Sequence, residues 1–283
     1  MKLIIGGVRG TNTVAQPDFV KYGGETTSLL IESQAGGRIL IDAGTGIRSL
    51  GARLAEDPGS RSVLLLITHY HLDHIVGLPS LGLLYDKEWR IKIAAQKHQE
   101  FDVESIMRRI MDKPFWPLQV SDLAASIQFE SLPAAANGSP LRWDGLEIRW
   151  CPLHHPGGCT AYRIDEPATG ASLVFATDVE WAESSEEEQS LLRALCVQPK
   201  PADLLLMDAQ YEASEYEKFR GWGHSTWEEG LALATSLGIP RLRLIHHDPQ
   251  KNDEALDRLN AEITTQAPFA SLARSSEELN LSS

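Results

Sequence analysis

What this chain has little of narrows its character first. Three cysteines, Cys151, Cys159 and Cys196, are too few and too irregularly spaced for a disulfide framework, and none forms a Cys-x-x-Cys pair. A reducing cytoplasm is therefore the expected setting. No apolar run approaches the length that spans a bilayer. Lys2-Leu3-Ile4-Ile5 is followed by glycines, not by the apolar core of an export signal, so no membrane partner is expected. No Pro/Gly/Ser-rich linker divides the 283 residues, and no internal repeat stands out. Basic blocks are also missing. Lysine and arginine number 26 against 39 aspartates and glutamates, a formal net charge of −13 with a pI near 5.1. An acidic surface repels polyphosphate backbones, which disfavours long nucleic acid as a partner. A small anionic substrate is still admissible, because bound ions dominate the field of their own site.

With 42% hydrophobic residues, the chain can bury a full core as one domain over 1–283, with a lid or insert around 97–140. Apolar stretches predict strands at 2–5, 28–32, 38–42, 63–67, 91–95, 141–144, 146–151, 160–164 and 172–176. Helices are expected at 46–55, 97–111, 183–196, 225–237 and 251–264, with further strands at 203–207 and 241–245. Two packed sheets with helices outside would bury these strands. Residues 131–140 read as a surface loop. Lys113-Pro114-Phe115-Trp116-Pro117 cannot be regular helix. Its aromatics could wall a pocket, dock on the domain body, or meet the other subunit of a homodimer.

The densest chemistry lies in Thr68-His69-Tyr70-His71-Leu72-Asp73-His74, directly after the run Val63-Leu64-Leu65-Leu66-Ile67. Imidazoles and a carboxylate suit a borderline cation such as zinc. In an extended segment His69 and His71 point to the same side and can grip one ion, while Asp73 and His74 follow where the chain turns and can face a second. Of nine histidines, eight fall in the groups 69/71/74, 154/155, 224 and 246/247. Each group follows a strand or turn. His98 alone, on the helix expected at 97–111, reads as a surface residue. Asp178 ends another strand. Asp42 is either a carboxylate that orients a ligand histidine or the cap of the following helix.

These ordered motifs resemble the metallo-β-lactamase-fold hydrolase superfamily, marked by His-x-His-x-Asp-His. The chain is most similar to its phosphodiesterase branch, the tRNase Z-like and PhnP-like enzymes, through Gly223-His224-Ser225-Thr226 and the preceding Leu206-Met207-Asp208-Ala209-Gln210-Tyr211. The resemblance implies an α/β fold, a four-layer αββα sandwich of two mixed β-sheets with helices on the outer faces. It also implies two divalent ions, zinc with manganese or iron(II) as alternatives. His69, His71 and one of His154/His155 would bind the first; Asp73, His74 and one of His246/His247 the second; Asp178 would bridge them. His155, which precedes Pro-Gly-Gly, and His246, which directly follows a strand, are preferred. Their neighbours would then face a ligand or the substrate. In tRNase Z-like enzymes a glutamate usually stands where this chain has Asp208.

Paired ions acidify a shared water to hydroxide at neutral pH, and a leaving alkoxide needs a proton. His224, oriented by Asp208, is the expected general acid, with Asp73 the third catalytic group. Capping a helix is the alternative role for His224. The expected reaction is hydrolysis of a small or cyclic phosphodiester. A carboxylic ester, lactone, thioester or lactam could be cut by the same ions, since a fold does not choose its chemistry. A tRNA 3′-processing nuclease fits less well, because no glycine/proline-rich arm or basic exosite is visible. Diiron redox members usually carry glutamate where His71 stands, together with a flavodoxin domain. A non-catalytic binding protein would have no need of an intact ligand set.

Overall fold

The computed structural model describes residues 1–134 and 139–281. Two seven-stranded mixed sheets pack face to face. The first, in the order β14-β1-β2-β3-β4-β5-β6, is built from β1 (Lys2–Gly7), β2 (Ser28–Glu32), β3 (Arg38–Ile41), β4 (Ser62–Ile67), β5 (Arg90–Gln96), β6 (Ser126–Leu132) and β14 (Glu278–Asn280). The second, β13-β12-β11-β10-β9-β8-β7, contains β7 (Leu141–Trp143), β8 (Leu146–Leu153), β9 (Cys159–Glu166), β10 (Ala171–Ala176), β11 (Leu204–Asp208), β12 (Leu242–Ile245) and β13 (Ala270–Leu272). Strands β3 to β6 run parallel to one another, as do β10 to β13.

The unbroken apolar strands follow from burial on both faces. In β4, Leu64 and Leu66 enter the core between the sheets with Leu173, Phe175, Leu204 and Leu206. Val63, Leu65 and Ile67 point the other way, onto Ile47, Leu50 and Leu54 of α1 (Ile47–Glu56) and Val103 and Met107 of α3 (Val103–Ile110). The far face of the second sheet is covered by α4 (Glu186–Val197), α5 (Trp227–Leu237) and α6 (Asp253–Gln266) through Leu192, Leu233 and Leu259. The layering is thus the four-layer αββα sandwich expected. Among the described residues no helix is long and apolar enough to cross a membrane.

Several boundaries differ from the sequence reading. The helix expected at 97–111 starts only at Val103, because Asp102 forms a capping box with Ser105 and Gln99 has φ +53°. His98 therefore lies before the helix, where its Nε2–H donates to the Thr68 carbonyl at 2.9 Å. Strand β6 takes Ser131 and Leu132 out of the loop read at 131–140, and residues 135–138 of that loop lie outside the described residues. Strands β6, β13 and β14 were not expected; the last two are only three residues long and carry little pattern. In the proline-bounded segment, Trp116 packs on the outer apolar cluster and Phe115 is exposed.

Candidate metal centre

Most of the functional side chains leave the C-terminal ends of parallel strands, where open α/β sheets place their ligands, while His155 follows the antiparallel β8. Asp42 follows β3, and Thr68 and His69 follow β4. In the second sheet Asp178 follows β10, Asp208 ends β11 and His246 follows β12. His71 caps α2 (Leu72–Ile75), a single turn that swings Asp73 and His74 around behind it. Three non-glycine residues of the site, Asp42, Asp178 and His246, hold φ of +59°, +52° and +67°. Thr11, whose backbone N–H donates to Asp73 Oδ2 at 2.7 Å, holds +61°. Left-handed backbone at such residues is costly and gathers where surrounding structure enforces it, characteristically at functional sites.

Three donor groups result, of which two serve as ligand sets; the third, Asp178, Asp208, His224 and His246, overlaps them. His69, His71, His155 and Asp178 bring one donor atom each within 4.8 Å of one another, and so do Asp73, His74, Asp178 and His246. Asp178 belongs to both. Its Oδ1 lies 3.7 Å from the Nε2 atoms of His69 and His155, and its Oδ2 lies 3.2 Å from His74 Nε2 and 3.4 Å from His246 Nε2. Asp73 Oδ2 sits 3.3 Å from His74 Nε2 and 3.2 Å from His246 Nε2. Donors bound at ~2.0–2.1 Å around a tetrahedral zinc stand ~3.3 Å apart, so the second set already has the spacing an ion requires.

Hydrogen bonds outside the cluster decide which nitrogen faces in. Thr68 Oγ1 donates to Asp42, so it accepts from His69 Nδ1–H at 3.1 Å. His155 Nδ1–H donates to the Gly223 carbonyl at 2.8 Å, and His246 Nδ1–H to Gln210 Oε1 at 2.9 Å. His74 Nδ1 lies 2.8 Å from Asp42 Oδ2. Each ring is thereby left with Nε2 toward the centre, the arrangement that orients metal-ligating histidines. His69 Nε2 is buried with no hydrogen-bond partner. Orphaned polar atoms of this kind are rare, and a cation at the centre would satisfy it.

Charge divides the two sets. Burial, reinforced by His74, pushes the His69 imidazolium pKa far down; burial likewise lowers His71, and His155 to about 4. These rings are neutral donors. Burial also opposes charge on His74 and His246, but Asp178 and Asp73 outweigh it, raising His74 strongly and His246 to about 9. Burial would raise Asp178, yet His246, His74 and His69 hold it far below the ordinary carboxylate range. A divalent ion bound in the second set would displace protons from His74 and His246, because histidine binds a metal through a deprotonated ring nitrogen.

The histidine doublets separate cleanly. His155 joins the first set, while His154 turns outward to within 3.4 Å of Glu188. His246 joins the second, while His247 is buried behind it and donates to the Ala273 carbonyl at 2.9 Å. Neither neighbour faces the centre. His224 Nδ1–H donates to Asp208 Oδ2 at 2.9 Å, and its ring stacks 4.8 Å from His246 and meets His155 edge-on at 5.3 Å, alongside both sets. Asp208 also accepts from the backbone N–H of Asp178 and Ser225. The cap of α5 is Thr226, so His224 is not spent on capping. Asp42, bonded to Thr68 and His74, is no cap either; the N-cap of α1 is Gly46, which offers no side-chain cap. Sequence reasoning missed Gln210, Glu180 and the Thr11 N–H. Only Gln210, two residues after Asp208 in an extended segment, carried a signal in its position.

The beta-lactamase superfamily domain model matches residues 37–247, and the chain belongs to that superfamily. Ribonuclease BN of Cronobacter sakazakii is 26% identical over 86% of this chain and 89% of its own. A diphosphatase of the PhnP family superimposes with a TM-score of 0.68 at 17% identity, covering 99% and 97% of the two chains. The short form of human tRNase Z gives the same TM-score at 17% identity over 99% and 100%. The chain is accordingly a hydrolase of the metallo-β-lactamase fold whose His/Asp clusters fit a metal site.

Proposed function

We propose that this hydrolase uses two divalent ions, zinc by the chemistry of its nitrogen and oxygen donors, to cleave a small or cyclic phosphodiester. His69, His71 and His155 would hold one ion and Asp73, His74 and His246 the other, with Asp178 offering one oxygen to each. Bound there, the ions would acidify a water and offset charge on the phosphoryl oxygens. The observation that carries the reading is the Asp208–His224 pair set beside both ligand sets. Asp208 takes Nδ1–H and so orients the ring, and it is the imidazolium form, with a second proton on Nε2, that would face the reacting phosphate. As water oxygen bonds to phosphorus and the P–O bond to the leaving group breaks, the leaving oxygen takes the proton from His224 Nε2, which solvent then restores.

A tRNA-processing activity is the second reading, favoured by the relatives' ribonuclease names over most of the chain. The formal charge of −13 works against it, because affinity for a polyanion rests on phosphate neutralisation. One panel tests both: metal analysis, then bis(p-nitrophenyl) phosphate, a cyclic nucleotide, a 3′-extended tRNA, a lactone and a thioester. Turnover of small diesters is expected. Turnover of the lactone without any phosphodiester would overturn the proposal, and selective cleavage of the tRNA would replace it with the second reading.

A further inference from the structure

Of the seven tryptophans, Trp222 alone is exposed, at 62% of its surface. An isolated exposed apolar side chain needs no explanation. This one is held in place from beneath. Glu180 is 1% exposed, and its carboxylate accepts from Gly221 N–H at 2.6 Å, Gly223 N–H at 2.8 Å and the Tyr216 hydroxyl at 2.7 Å. The two peptide donors flank Trp222 on both sides. Both belong to glycines at positive φ, +84° and +91°, conformations that side chains resist. A buried carboxylate is costly unless its oxygens are hydrogen-bonded, and here those bonds serve to fix the segment that carries the indole.

Aromatic rings support it from behind. Trp222 meets Phe219 edge-on at 5.6 Å; Phe219 lies flat on Tyr211 at 4.3 Å and 3°; Tyr211 meets His224 edge-on at 6.0 Å. The platform adjoins the reacting centre, since Gly223 receives the His155 Nδ1–H bond and His224 follows directly. A Cβ on Gly223 would collide with the His155 ring, so the chain passes hard against a ligand of the first set. Held from beneath, exposed and two positions before the candidate proton donor in the chain, the indole has the attributes of a surface made for stacking.

We propose that Trp222 is a specificity residue that stacks a planar ring carried by the substrate, a nucleobase or aryl group linked to the phosphate. This rests on the phosphodiesterase reading for its reaction but not for its binding. Stacking on an aromatic side chain is worth enough to change affinity about tenfold.

The test is calorimetric binding of adenosine 5′-monophosphate and ribose 5-phosphate to the zinc-loaded protein. The two share a phosphate and differ by the base. Wild type should bind the nucleotide about tenfold more tightly, W222A should bind both alike, and W222F should keep the preference. Zinc content and Tm of W222A should match wild type. Equal binding by wild type, or an undiminished preference in W222A, would overturn the assignment. Bis(p-nitrophenyl) phosphate turnover by wild type is read separately. Its absence beside an intact base preference would sink the reaction and leave the stacking site standing.

Discussion

Asp42 Oδ2 lies 2.8 Å from His74 Nδ1, and neither side chain reaches solvent. The same carboxylate accepts from the N–H and hydroxyl of Thr68, which in turn orients His69. One residue that touches no ion site thus sets a ring in each ligand set. Asp42→Asn is expected to weaken metal binding by about 10–100-fold. Asp42→Ala, which strands three donors, should also lose ~1–3 kcal/mol in urea unfolding. Unchanged metal content in Asp42→Asn would dismiss the orienting role.

The histidine doublets supply a paired control. His155→Ala should remove the first ion and most activity. His154→Ala, which loses only an exposed contact with Glu188, should retain both. Metal stoichiometry decides the matter, and a loss of metal in His154→Ala would reverse the assignment.

Asp178→Ala is expected to empty the centre, because both oxygens of that carboxylate lie within 3.7 Å of ligand nitrogens from the two sets. Two ions per chain in this variant would refute the bridging role.

Proton donation by His224 predicts a loss that depends on the leaving group. His224→Ala should lower kcat on an alkyl diester by about 10²–10⁴-fold, and far less on a p-nitrophenyl diester, whose leaving oxygen needs no proton. Equal losses on the two substrates would exclude the role.

Burial pushes the Tyr22 hydroxyl up to about 12, with Asp257 adding to it. A pKa higher in the folded state than the ~10 of an unfolded tyrosine means that the stabilisation is complete below pH 10 and is lost as pH rises toward 12. Denaturant midpoints across that window should fall less steeply in Tyr22→Phe. An identical slope would show that Tyr22 does not contribute.

How much of this was legible varies with the distance over which each feature is decided. The His69–His74 cluster after β4 was readable because strand and ligands are contiguous. The two-sheet fold was readable because runs such as 63–67 are apolar on both faces, which only a strand buried on both sides requires. His98 was misread, since the cap at Asp102 moved the helix start beyond it.

By itself the sequence determined which residue types could hold cations and that they gather at strand ends. Tertiary structure alone decided which member of each doublet faces the centre. Adjacent residues in extended chain point to opposite sides, so a shift of one position exchanges His155 for His154, and only packing of the neighbouring strands sets that register. It also decided the partners of each Nδ1. Gly223, Gln210 and Asp42 lie 68, 36 and 32 positions from the histidines they orient, and separations of that size carry no local pattern for a sequence to display.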